Sequence, residues 1–245
     1  RIQKFLQSKG RVLIGWDEIM EGGADKNAII EVWRGQEKAK EAIANGNSII
    51  QTLYLDGPPA SLTLQKSFAF DPLVAGDNKK VLGADCPLWT EWVTEYNAEY
   101  MLYPRVQAFA ERLWNDKTNY PDFRKRLRRH YERMDKMQVM FGAEDKNLLA
   151  TQLKYLPEEK QWRLYAETGL DEIQIFYSLN DESPSEHSFA DSLSISSPEN
   201  INLVPMRKGK QALAVLQYII MDHKALGKKV NFKEAYHENY KKIGD

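Results

Sequence analysis

Hydrophobic positions in the first part of the chain come in four short runs: Val12-Leu13-Ile14, Ala28-Ile29-Ile30-Glu31-Val32, Ser48-Ile49-Ile50-Gln51 and Val81-Leu82-Gly83. Each is too short for a helix and is bounded by Gly, Asp or Asn, the pattern of a buried strand. Between the second and third runs, Gln36 to Asn45 is rich in Ala, Lys and Glu and is closed by Gly46, which predicts a helix with a glycine stop. Strand, helix and strand at this spacing imply a parallel crossover. Before the first run, Ile2, Phe5 and Leu6 sit at helical spacing ahead of Gly10 and predict the tail of a helix. The Pro- and Gly-bearing stretch from Gly57 to Asn78 reads as an elaborated loop on the functional face.

Two helices are expected next. Leu102, Val106, Phe109 and Leu113 share one stripe, which places Pro104 in a first turn or at a kink. Pro121 opens the other, with Phe123, Leu127 and Met134 on its buried face and the basic residues Arg124 to Arg129 on a solvated one. From Gly142 the pattern changes. Gly142 to Glu159 is polar and carries Pro157; afterwards Ile173, Ile175 and Tyr177, and later Leu216, Tyr218 and Ile220, alternate with period two. Turns are marked at Asn180-Asp181, Ser183-Pro184, Ser197-Pro198 and Arg207-Lys208-Gly209. The expected organisation is α/β: a β/α domain over 1–145, then a linker and a small all-β sandwich over 146–245. In the sandwich, Phe176, Tyr177 and Tyr218 sit at core-like spacing and read as bracing.

Composition narrows the function. The 245 residues hold 34 Lys+Arg against 35 Asp+Glu, a net charge of -1, which removes the basic excess that phosphate backbones or anionic membranes would select. No window approaches the roughly 18 apolar residues of a membrane span, and Arg1 to Gly10 lacks the apolar core of a signal peptide. A single cysteine, Cys86, excludes an intramolecular disulfide and a multi-cysteine zinc site, and is read as a buried thiol. His130, His187, His223 and His237 show no ligand spacing, so neither metal nor cofactor is expected. Six Trp and 12 Tyr are the unusual counts.

Candidate chemistry lies after the strands. The runs lead into Trp16-Asp17-Glu18, Trp33-Arg34-Gly35, Tyr54-Leu55-Asp56 and Leu88-Trp89-Thr90-Glu91. Each unit delivers an aromatic to the same edge, and three bring a carboxylate. In a parallel β/α barrel those strand ends converge on the mouth where active sites lie. An aromatic face with a carboxylate suits a sugar, the ring covering the C–H face and the carboxylate accepting hydroxyl hydrogen bonds. Any one Trp at a strand end is more often packing; four at equivalent positions favour a carbohydrate site.

Leu13-Ile14-Gly15-Trp16-Asp17-Glu18-Ile19, Val32-Trp33-Arg34-Gly35, Tyr54-Leu55-Asp56, Leu88-Trp89-Thr90-Glu91 and Ala98 to Arg105 together resemble the family 20 glycoside hydrolases, the β-N-acetylhexosaminidases, over Arg1 to Phe141. Ile175 to Pro184 resembles, less specifically, a turn of that family's C-terminal sandwich. The resemblance implies a (β/α)8 TIM barrel that removes terminal β-linked N-acetylglucosamine or N-acetylgalactosamine with retention, the substrate's 2-acetamido oxygen being the nucleophile. It implies that Trp16, Trp33 and Trp89 wall the sugar pocket. Tyr54 would donate to the acetamido carbonyl as a catalytic residue, and Asp56 and Glu91 would accept from outer hydroxyls. The partner implied is a carbohydrate carrying N-acetylhexosamine; the location implied is secreted, periplasmic or lysosomal.

The chain departs from the family in lacking the His-x-Gly-Gly-Asp-Glu motif that carries its catalytic Asp-Glu pair. Asp17-Glu18 does not replace it, since neighbours leaving a strand point to opposite sides; the pair reads as structural. As a whole barrel takes about 250 residues, the expectation is the second half of one plus a trailing sandwich, inactive by itself. Its open strand edges at Val12 and Val81 would favour self-association or pairing with the other half. The alternatives are a non-catalytic carbohydrate-binding or structural module, or an unrelated β/α enzyme in which Trp16, Trp33, Tyr54 and Trp89 do not cluster.

Overall fold

A computed structural model describes residues 1–73, 78–115, 117–180, 182, 187–196, 198–221 and 226–228. The chain divides into two compact units: residues 1–150 with 168–174 and 205–214, and residues 151–167 with 175–204 and 215–245.

The first unit opens with α1 (Ile2–Ser8) and then β1 (Ile14–Trp16), β2 (Ile29–Val32), β3 (Ser48–Thr52) and β4 (Val81–Asp85), which form one sheet in sequence order, all parallel. β1 begins at Ile14, two residues later than the apolar run. Helix α2 (Gln36–Ala44) makes the crossover between β2 and β3, and Gly46 beyond it takes φ 92°, a backbone conformation that favours glycine. Ile30, Val32 and Ile49 pack on Ala39 and Ala42 of α2, so one sheet face is a dry interface and the alternate residues face away from it. Between β3 and β4 the register slips at Ile49/Ile50; Gly83, at φ 151°, lies at the slip, beyond which Thr52 pairs with Asp85.

Three elements differ from the expected pattern. The stretch 57–78 contains a helix, α3 (Leu64–Ala69), whose Thr63 side chain accepts from the Lys66 N–H. The stripe from Leu102 to Leu113 is two helices, α4 (Ala98–Leu102) and α5 (Arg105–Trp114), because Pro104 has no N–H to continue the first and serves instead as N-cap of the second. The polar stretch after Gly142 carries strand β5 (Leu149–Leu156), whose short alternation outweighs its polarity. Helix α6 (Tyr120–Lys136) is capped by Asn119, and it buries Phe123 and Leu127 with Leu64, Phe68 and Ala108. Its basic face is solvated and paired, Arg124 with Glu144 and Arg126 with Glu111.

The second unit is β-rich. β5, β6 (Gln161–Thr168) and β9 (Ser192–Ile195) form one sheet, and β7 (Ile173–Leu179), β8 (His187–Ser188), β10 (Asn200–Arg207), β11 (Lys210–Gln211) and β12 (Leu216–Ile219) another, of which β11 falls in the first unit's segment 205–214. Leu164, Ile195, Ile201 and Leu203 are buried, and Tyr177 packs on His187 and Phe189. Asp181, Ser183, Pro184, Ser197, His223 and His237 lie outside the described residues.

In the first unit, buried Arg105 holds the loop after β3. Its guanidinium donates to the carbonyls of Met101, Leu55, Gly57 (2.8 Å) and Leu62 (3.4 Å). Burial lowers its pKa to about 10, an effect the nearby Asp56 opposes, so it remains charged at neutral pH. Arg105→Met leaves these carbonyls without a donor. The expected loss is about 3 kcal/mol, read as a lower urea midpoint at unchanged slope.

Candidate functional site

The site begins with one carboxylate. Asp17, fully buried in the turn that follows β1, accepts from the main-chain N–H groups of Trp33 (3.1 Å) and Arg34 (3.0 Å) and from the Arg34 Nε. The charge is therefore met by two amides and a guanidinium, and the ends of β1 and β2 are tied together. Glu18 accepts from the Trp33 indole Nε1 at 3.0 Å, so both acids have structural partners on the same residue. Arg34 also pairs with Glu21 at 2.8 Å; Glu21 and then Asp17 raise its pKa.

With the strand ends fixed, the aromatics meet. Trp16 stacks on Tyr54 with centroids 6.4 Å apart and leans on Trp89 at 6.2 Å; Trp33 meets Tyr54 edge-on at 6.1 Å. These separations lie within the range of aromatic pairs, yet the group is not a closed core, since Trp33 and Trp89 remain 41% and 44% exposed. Tyr54 has its pKa raised by burial first and then by Asp56, Glu18, Asp85 and Glu31, so its hydroxyl keeps its proton and is a donor.

The two remaining candidates separate. Asp56 is partly buried, near Tyr54 and Arg105, and lines a cavity of about 600 Å³ with Pro58, Pro59, Trp92 and Met101. Glu91 is exposed two residues beyond Trp89 and makes no hydrogen bond or ion pair among the described residues. Cys86 is partly buried, its thiol pushed up by burial and by Asp85. Among the described residues no three His, Cys, Asp or Glu are grouped to hold a metal ion, and no helix is long and apolar enough to cross a membrane.

One feature escaped the sequence reading. Glu31 on β2 and Asp85 at the end of β4 bring their carboxyls within hydrogen-bonding reach, and the Thr52 hydroxyl donates to Asp85 at 2.7 Å. Burial, then the hydrogen bond and charge of Asp85, push Glu31 up to about 7. A charged residue inside the apolar run Ala28 to Val32 was the available signal.

Part of this chain is similar to known proteins. Residues 1–117 match glycosyl hydrolase family 20, catalytic domain. A beta-hexosaminidase of Porphyromonas gingivalis is 35% identical over 156 residues, 54% of this chain and 20% of that protein. One from Vibrio furnissii is 30% identical over 131 residues, covering 44% and 21%. The chain therefore spans about a fifth of the length of these relatives. Among solved structures, a GH20 exo β-N-acetylglucosaminidase from Vibrio harveyi matches with TM-score 0.53 at 24% identity, over 59% of this chain and 26% of that one. A Streptomyces plicatus β-hexosaminidase in complex with its product, GlcNAc, matches at 0.52 and 23%, over 58% and 34%. At such identities the structural likeness is one of fold.

Asp17→Asn places an amide NH₂ among three donors while keeping one acceptor. The expected cost is about 2 kcal/mol, with a change in the near-ultraviolet circular dichroism of the tryptophans, because the ends of β1 and β2 are no longer tied.

Proposed function

We propose that this chain, whose residues 1–117 belong to the glycosyl hydrolase family 20 catalytic domain, carries the sugar-holding part of a retaining exo-β-N-acetylhexosaminidase. The parallel sheet of β1 to β4 is the second half of a (β/α)8 barrel, and the β-rich unit is a trailing sandwich; the division at 145/146 is the domain boundary of this reading. The observation that carries it is the cluster of Trp16, Trp33, Tyr54 and Trp89, 6.1–6.4 Å apart in sequential contacts and open on one side.

In this reading the substrate's acetamido oxygen attacks the anomeric carbon as the leaving group departs, forming a cyclic oxazolinium. Three indoles enclose the acetamido group and the sugar's apolar face, and their electron-rich faces favour the positive charge of the intermediate. Tyr54, kept protonated by its surroundings, donates to the acetamido oxygen and orients it. Asp56, held in place by the Arg105-clamped loop, accepts from an outer hydroxyl, and Glu91 closes on another when sugar is bound. The leaving-group oxygen needs an acid, and the His-x-Gly-Gly-Asp-Glu motif that would supply it is not in these 245 residues. The same absence favours a second reading, a non-catalytic carbohydrate-binding module with the same pocket.

Calorimetry with an N-acetylglucosamine thiazoline, a mimic of the oxazolinium, tests the pocket. Binding is expected, weakened about tenfold or more by Trp89→Ala and about tenfold by Tyr54→Phe, which removes one donor; no binding to folded chain refutes the pocket. Aryl N-acetylglucosaminide is expected to survive incubation with the purified chain, since loss of a general acid typically costs about 10²–10⁴ in rate. Measurable hydrolysis overturns that expectation. As β1 and β4 are the outer strands of their sheet among the described residues, the chain should also self-associate through those edges; sedimentation showing a monomer at all concentrations refutes this.

A further inference from the structure

The sugar-pocket reading leaves one group without a role. Ile30 and Val32 of β2 face α2, so Glu31 between them faces the other way. Thr52 and Asp85, register partners on β3 and β4, bring their side chains together, and Glu31 meets Asp85 across the intervening strand. By the same period of two, Glu31 precedes Trp33 and Thr52 precedes Tyr54 by two residues each. Glu31 and Thr52 thus each stand two residues before an aromatic of the cluster.

We propose that Glu31 and Asp85 hold one proton between their carboxyls and act as a positioning pair for the sugar pocket, fixing the strands on which Trp33 and Tyr54 stand. The inference rests on the pocket reading for its role but not for its proton. Two carboxyls in hydrogen-bonding reach resist joint ionisation. Thr52 spends its only O–H on Asp85, which fixes Asp85 as the acceptor and leaves Glu31 as the second donor. Glu31 donates to Asp85, Thr52 donates to Asp85, and the three strands are held together. Loss of the proton puts two charges face to face, drives the strands apart and makes Tyr54 a weaker donor. The other titratable groups around the pair are Glu18 after β1, Tyr54 and Asp56 after β3, and Cys86 after β4; Asp56 in turn faces Arg105. None of them supplies a cation to the pair itself.

Two readouts on the full chain test this. Glu31 carries its proton in the folded state up to about 7, against 4.5 for the free side chain. The folded state thus binds the extra proton between these values, and stability should fall as pH rises through that window. Thermal melts from pH 4.5 to 8 are expected to show this loss in the native chain and a smaller one in Glu31→Gln; equal slopes overturn the shared proton. Thiazoline affinity should weaken about tenfold between pH 6 and 8, the effect of roughly one pKa unit of coupling, and stay closer to constant in Glu31→Gln. The ligand's own titration is common to both. Should Glu31→Gln fail to fold, Thr52→Val replaces it: without the hydroxyl the ionised pair is less favoured, and the midpoint should move to higher pH. Parallel affinity profiles overturn the positioning role. Absence of binding at every pH overturns that role together with the pocket reading, while the melts still decide whether the pair holds the proton.

Discussion

A buried carboxylate that ties two strand ends together is the constraint on which the site depends. Parallel strands supply no hairpin to fix the distance between their C-terminal ends, and here β1 and β2 each leave the sheet into a different turn. Asp17 closes that gap through the main-chain N–H groups of Trp33 and Arg34, with Arg34's own guanidinium compensating the charge. Once these ends are held, Trp16 and Trp33 reach Tyr54 from two sides, and Trp89 completes the group against Trp16. Removing an anion from water is costly unless its lone pairs are met, and here each oxygen is met by a donor. The aromatic cluster inherits its order from that polar contact, not from dense packing of its own.

Much of this was legible in the sequence because it follows from local pattern. Short apolar runs bounded by turn residues located β2, β3 and β4 nearly to the residue, and the Ala/Lys/Glu stretch ended by Gly46 located α2. The four aromatics were found because they recur at one position of a repeating unit. What escaped was of two kinds. Helix α3 is a six-residue element inside a Pro- and Gly-bearing stretch, too short for periodicity to register. Strand β5 was hidden by polar residues on its exposed side, although Leu149, Thr151, Leu153 and Tyr155 alternate as a strand requires.

The second kind is long-range. Asp85 meets Thr52 and Glu31 only because the register slips by one residue beside Gly83, and no property of the local sequence reports a slip between two strands. Arg105 likewise reads in sequence as one more cation opening a helix. Only the fold reveals that it is buried and satisfied by carbonyls from a loop more than forty residues earlier.

That clamp has an evolutionary side. Arg105 donates to main-chain oxygens of Leu55, Gly57, Leu62 and Met101 and to no side chain among the described residues. It grips the path of the loop while remaining blind to its spelling. Exposed residues of that loop such as Pro58 are therefore free to drift, and with them part of the lining of the adjoining cavity, while the carboxylate itself stays where it is. A lineage could retune what lines that cavity one loop residue at a time, without having to reinvent the frame that presents it.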